Sequence, residues 1–262
     1  MGWKYVLYEA MDDLPVIRIT VNRPDKMNAL DSDVVTEIRE AFEKAKTDPA
    51  GHLVILRGAG EKAFVAGADI AELAEQGVRS GKQRARNGQA TLDKIEQLGK
   101  PVIAMINGYA FGGGLEVALA CHLRTMAAET KIGLPEVGLG IFPGFGGTQR
   151  LPRVIGRGRA LEMILTGDPI DAETALQYGL VNRVAPAGEL EAVTMKLAAR
   201  LLMRGPLAVG SALESVLRGT ETGMEEGLRI EADLFGIVSS TKDMHEGLTA
   251  FLEKRKPSFT GE

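Results

Sequence analysis

The chain has one cysteine, Cys121, in 262 residues. No intrachain disulfide can form, and a thiol inside an apolar run is expected to be buried rather than reactive. Aromatic residues are only 5%, and the net charge is −4. That balance argues against a basic, aromatic-studded nucleic-acid surface, although a local basic patch is compatible with it. No apolar run is long enough to cross a bilayer. The first residues lack the apolar core and small-residue cleavage site of a secretory signal, so a cytoplasmic protein is expected. Familiar chemical signatures are missing too. There is no phosphate-binding Gly-x-x-x-x-Gly-Lys loop, no dinucleotide fingerprint after a strand, and no Gly-x-Ser-x-Gly. The three histidines, His52, His122 and His245, lack metal-type spacing, so no metal site is predicted.

What is present is an alternation of strand and helix patterns. Val16–Val21 places Ile17, Ile19 and Val21 on one face at period two. A helix follows with Val34, Ile38, Phe42 and Ala45 at helical spacing, capped by Asp31 or Ser32. Leu53–Leu56 and Val102–Ile106 are short and wholly apolar, as strands covered on both faces are. An α/β fold is predicted. Residues 76–87 are polar and basic with two glycines, and read as a mobile loop or frayed helix. From Gly188 onward only helical patterns recur, which divides the chain into a core at 1–187 and a helical appendage at 188–262.

Four small features carry the chemistry. In Phe64-Val65-Ala66-Gly67-Ala68-Asp69-Ile70 a strand ends in small residues, and Asp69 can cap a following helix. In Gly112-Gly113-Gly114 a strand meets the start of a helix, where bare backbone N–H groups attract negative charge. One N–H from each loop can converge on a single oxygen as an oxyanion hole, where losing one donor typically costs ~10²–10³ in rate. Glu116 and Glu136 supply the third and fourth features, a carboxylate pair suited to holding water and moving a proton. Each feature also has a purely structural reading, as a turn, a cap or a dipole-complementing glutamate. Pattern alone leaves both readings open.

The ordered segments Asn22-Arg23-Pro24-Asp25-Lys26-Met27-Asn28-Ala29-Leu30, Ala66–Ile70, Lys100–Ala104, Asn107–Glu116, Gly133–Gly140 and Pro143–Leu151 resemble the enoyl-CoA hydratase (crotonase) family. Gly179–Asn182 and Phe251–Lys256 extend the match over nearly the whole chain. The resemblance implies a spiral core of repeated strand–strand–helix units and a C-terminal helical region that forms a trimer, often a dimer of trimers. It implies that the amides of Ala68 and Gly113 hold a thioester oxygen. It further implies that Glu136 gives a proton to Cα while Glu116 orients water. Lys26, Met27, Ala66, Asp69 and Ile70 would contact coenzyme A, with Phe235 and Lys254 completing that site, often from a neighbouring subunit. Coenzyme A would be part of the substrate, and no separate cofactor is implied.

Because both glutamates are kept, the resemblance favours hydration of a trans-2-enoyl thioester over double-bond isomerisation, which usually dispenses with the Glu116 position. Phe145 resembles short-chain members. A thioester hydrolase, a decarboxylase and a non-catalytic RNA-binding homologue are the competing readings. The chain departs from the family pattern at His122, where aspartate is usual. A packing or hydrogen-bonding substitution is expected there.

Overall fold

The structure is a computed structural model that describes residues 2–262. Its strands divide between two sheets. The larger is built from β1 (Val6–Ala10), β2 (Val16–Val21), β3 (Leu53–Gly58), β5 (Val102–Ile106), β7 (Leu123–Ala127) and β10 (Arg183–Ala185), in that spatial order. The smaller pairs β4 (Ala63–Val65), β6 (Tyr109–Phe111), β8 (Lys131–Gly133) and β9 (Ile170–Asp171). From β3 to β8 each turn of the chain lays one strand in the large sheet, one in the small sheet, and then one or more helices, whereas β1 and β2 both join the large sheet. Thus β3 and β4 lead to α2 (Ile70–Ala74) and α3 (Val78–Glu96), and β5 and β6 lead to α4 (Gly113–Ala120). After β7 and β8 come α5 (Gly147–Ile155), α6 (Arg157–Thr166) and α7 (Ala172–Gln177). The neighbouring β2, β3, β5, β7 and β10 run parallel, as strands joined by helical crossovers must. The predicted spiral of strand–strand–helix units is therefore the observed fold.

Period-two alternation separates two apolar layers. Val54 and Leu56 of β3, with Val102, Ala104 and Ile106 of β5, face the main core beneath α1 (Ser32–Thr47), α3 and α4. Their alternates Leu53, Ile55, Ile103 and Met105 face α8 (Leu190–Leu202), which closes the other side through Leu190 and Ala198. Burying each such side chain contributes roughly 1.5–3 kcal/mol. The predicted stripe on α1 is fully buried at Val34, Ile38, Phe42 and Ala45, and Asp31 is its cap, accepting from the Val34 N–H.

Residues 78–96 form one long helix, α3, so of the two readings of 76–87, mobile loop or frayed helix, the structure has a helix from Val78 onward. Its buried residues begin only at Gly88 and continue with Thr91, Leu92 and Ile95. The first half packs against no core, so it shows no apolar stripe. It is held by polar contacts: the Gly77 N–H donates to Ser80 Oγ at its start, and Arg84 pairs with Glu72 and donates to the Leu30 carbonyl.

The remaining helices are α9 (Pro206–Gly219), α10 (Met224–Val238) and α11 (Lys242–Leu252). They bury few side chains of their own, Ile230, Asp243 and Ala250 being the exceptions. Among the described residues no helix is long and apolar enough to cross a membrane.

Candidate active site

Backbone pairing brings two loops together. Asn28 is fully buried at φ +59°, and its amide donates to the carbonyls of Ala59 and Ala63. That anchor fixes the loop 22–30. The loop then zips onto residues 66–69: Ala66 N–H to Met27 O, Leu30 N–H to Gly67 O, and Asp69 N–H to Leu30 O. In this parallel bridge Leu30 uses the groups on either side of Ala68, so the Ala68 N–H points to the opposite side. Across from it, Gly113 begins α4, where an N–H has no intrahelical partner. Among the described residues neither N–H has an acceptor. They are close: a Cβ added to Gly113 would lie 4.0 Å from the Ala68 nitrogen.

The three glycines serve different needs. Gly112 sits at φ +52°, ψ −124°, and a Cβ there would lie 3.0 Å from Glu136 Oε1. Gly114 lets α4 press on β4, since a Cβ would come within 1.9 Å of the Val65 carbonyl oxygen. Gly113 leaves the open N–H.

Glu116, the fourth residue of α4, is 2% exposed. Its carboxylate does not serve its own helix terminus. Oε1 accepts from the N–H groups of Phe145 (2.8 Å) and Gly147 (2.7 Å), in the turn before α5. Both bonds land on one oxygen, so Oε2 keeps its lone pairs for another donor. Burial pushes its pKa up to about 7, the two N–H bonds oppose that rise, and the Glu136 charge adds to it. Glu136 lies on the short 3₁₀ turn Pro135–Leu139. Burial raises its pKa as well, and its Oε2 is enclosed without a hydrogen-bond partner. Both carboxyl groups line one cavity of about 760 Å³, together with Ala66, Ala68, Ile70 and Gly113. Two open N–H donors therefore face the same space as two carboxyl groups whose pKa values burial raises. Such a site can stabilise an oxyanion while protons move beside it.

Comparison with known proteins places the chain in a family. Residues 13–262 match the family model described as enoyl-CoA hydratase/isomerase. The chain belongs to the enoyl-CoA hydratase/isomerase family. It is 45% identical over 259 residues to a crotonyl-CoA hydratase of Syntrophomonas wolfei, covering 99% of each chain. It is 42% identical over 238 residues to a short-chain-enoyl-CoA hydratase of Clostridium acetobutylicum, covering 91% of each. The crystal structure of an enoyl-CoA hydratase from Bacillus anthracis superposes with a TM-score of 0.94 at 40% identity, covering 99% of this chain and all of that one.

Other expected site residues of this enoyl-CoA hydratase/isomerase family member fall at different distances from the cavity. Lys26 and Met27 are exposed on the loop that pairs with Ala66, at the rim rather than in the lining. Asp69 caps α2 through the Ala71 N–H and pairs with Arg23 at 3.2 Å. Phe235 on α10 is 72% exposed, and Lys254 follows α11. Neither borders the cavity within this chain. Sequence reasoning missed the Phe145 and Gly147 amides that hold Glu116, because backbone donors carry no residue signature. It also missed the α3 wall, where Arg84, Ala85 and Gln89 line the cavity and Gln89 donates to the Gly144 carbonyl.

His122 is a hydrogen-bonding substitution. Nδ1 accepts from the Val102 N–H and Nε2 donates to the Glu96 carbonyl, both at 2.9 Å. These two bonds require the neutral ring, and burial lowers its pKa in the same sense.

Proposed function

We propose that the protein is a short-chain enoyl-CoA hydratase, adding water reversibly and in the syn sense to a trans-2-enoyl-CoA such as crotonyl-CoA to give the 3-hydroxyacyl-CoA. The observation that carries this reading is the convergence of the open Ala68 and Gly113 N–H groups with Glu116 and Glu136 in one cavity. The thioester carbonyl oxygen accepts from the two N–H groups. Glu116 Oε2 takes a proton from water as the water oxygen bonds to Cβ. The C=C electron pair shifts toward Cα and negative charge gathers on the thioester oxygen. Fixed backbone donors stabilise that charge without rearranging. Protonated Glu136 delivers its proton to Cα as the enolate collapses. The proton on Glu116 then replaces the one lost from Glu136 through solvent, so the net change is addition of one water. General acid–base help of this kind is worth about 10²–10⁴-fold. No group other than water and the thioester enters these steps, and coenzyme A arrives as part of the substrate.

The short-chain assignment rests on Phe145. Phe145 is buried and lines the cavity, and its ring fits into the space left by Gly88 of α3. A Cβ at Gly88 would lie 2.3 Å from the ring. A wall built this way shortens the room beyond Cβ.

The oligomer is a trimer or a dimer of trimers in this reading. Apolar side chains stand exposed on the C-terminal helices, Phe235 at 72% and Phe251 at 81% among them, which is surface a second copy would bury. A neighbour's Phe235 and Lys254 would then complete the coenzyme A site, with Lys26, Met27, Ala66, Asp69 and Ile70 supplying the rest. Loss of the conjugated thioester absorbance of crotonyl-CoA, followed with wild type, Glu116→Gln and Glu136→Gln, tests the reading. Each variant is expected to lose roughly 10²-fold or more in turnover. Faster conversion of a 3-enoyl-CoA, or release of free coenzyme A, would replace hydration with isomerisation or hydrolysis.

A further inference from the structure

Glu116 can serve the proposed reaction only if one of its oxygens is occupied and the other is free. The turn 143–147 imposes that asymmetry, and something must hold the turn. We propose that Arg150 is the positioning residue that does so, aiming the Phe145 and Gly147 amides at Glu116 Oε1. The inference rests on the hydratase reading above.

Arg150 lies one turn into α5, and its guanidinium folds back over the preceding turn. Nη1 donates to the Phe145 carbonyl at 3.2 Å. Nη2 donates to Asp93 Oδ1 at 2.7 Å and to Glu96 Oε2 at 2.8 Å, and Nε adds a second bond to Glu96 at 3.2 Å. The two peptide groups flanking Phe145 are therefore both held, the first through its N–H by Glu116 and the second through its C=O by Arg150. Gly146 completes the fit. It sits at φ +113°, and a Cβ there would lie 2.5 Å from Nη1. The planar fork of arginine reaches the turn and both carboxylates at once, which a lysine ammonium cannot do.

The support behind Arg150 is itself fixed. Glu96 ends α3, and its carbonyl takes the His122 Nε2–H, while His122 Nδ1 accepts from β5. The last turn of α3 is thus tied through its side chain to α5 and through its main chain to the central sheet. The residue that departs from the family pattern, His122, is one link of this chain of contacts.

Arg150 does not border the substrate cavity. It lines a second cavity of about 1020 Å³, bounded by the end of α3, α5 and the α9–α10 hairpin. The charged groups around Glu116 are Glu136 from the 3₁₀ turn, Arg150 from α5, and Lys82 and Arg84 from α3, with Asp93 and Glu96 behind Arg150. Removing Arg150 takes away a cation that favours the ionised form of Glu116 and leaves Asp93 and Glu96 unpaired. Glu116 then holds its proton to higher pH, with the turn free to shift.

The test uses the full-length protein with Arg150→Ala and Arg150→Lys. Wild-type turnover of crotonyl-CoA tests the hydratase reading alone. In Arg150→Ala, kcat is expected to fall about 10²-fold, as for a small misplacement of a reacting group, with KM little changed. The acid limb of the pH–rate profile should move to higher pH. Guanidinium ion, entering through the second cavity, should restore turnover saturably where equal sodium chloride does not. An infrared titration of the Glu116 carboxyl stretch, assigned by its absence in Glu116→Gln, reads the same displacement without substrate. Arg150→Lys keeps a cation but not the fork, so kcat stays low while the limb moves less. If Arg150→Ala does not fold, Arg150→Lys decides by the same readouts. An unmoved carboxyl titration, or lost activity with an unmoved pH limb and no guanidinium rescue, overturns the proposal.

Discussion

Replacing Glu116 by glutamine should abolish most activity and, at alkaline pH, make the protein more stable. The buried carboxyl has its pKa raised from an ordinary 4.5 to about 7. Between those values the folded state binds more protons than the unfolded chain. Stability that is present below pH 4.5 is therefore lost as pH rises through 7. At about 1.4 kcal/mol per pH unit, the loss is about 1 kcal/mol at pH 5 and about 3 kcal/mol at pH 8.5. Glutamine keeps an acceptor for the Phe145 and Gly147 amides and never ionises. It also removes the charge that opposes ionisation of Glu136. Urea unfolding of both proteins at pH 5 and pH 8.5, at one fixed protein concentration, measures the difference. The variant should gain about 2 kcal/mol over wild type between the two pH values, by the same linkage, while turnover drops roughly 10²-fold. Parallel stability curves for the two proteins would refute the claim that Glu116 is held at a raised pKa by burial.

Other outcomes follow from the same geometry. Phe145→Ala should widen the acyl end of the cavity and raise kcat/KM for six- and eight-carbon enoyl thioesters relative to crotonyl-CoA. An unchanged chain-length profile would remove the ring from the pocket wall. Gly114→Ala should destabilise by several kcal/mol or prevent folding, because its Cβ would strike the Val65 carbonyl at 1.9 Å; a wild-type melting temperature would contradict the close packing of α4 on β4. His122 is neutral in the fold and its pKa is lowered by burial, so its contribution is present above pH 6.5 and lost as pH falls through the lowered value. Thermal melts of His122→Asn between pH 4 and 7 should show a flatter acid dependence than wild type, and an equally steep one would remove the ring as the cause.

The expected strands were legible because burial on both faces leaves a plain mark, a short run of β-branched and apolar residues. The Asp31 cap and the α1 stripe were legible for the same local reason. The first half of α3 was not. That half faces an open cavity and is secured by Arg84, which pairs with Glu72 and reaches the distant Leu30 carbonyl. Glu116 read locally as a glutamate complementing its own helix, yet its partners lie 29 and 31 residues further along. Asp69 caps α2 as its place before Ile70 suggests, but its pairing with Arg23, 46 residues earlier in the chain, has no local mark. Phe235 and Lys254 stand away from the cavity of their own chain.

By itself, then, the sequence determined the alternating elements and the glycine-rich loops, because each is written in neighbouring residues, while the two carboxyl groups stood out only through the resemblance of whole segments. The tertiary structure alone decided that the Ala68 N–H is left free, that one oxygen of Glu116 is tied down while the other is open, and that both acids are pushed toward neutrality. Those properties come from desolvation and from backbone groups brought together across loops, and neither has a letter in the chain.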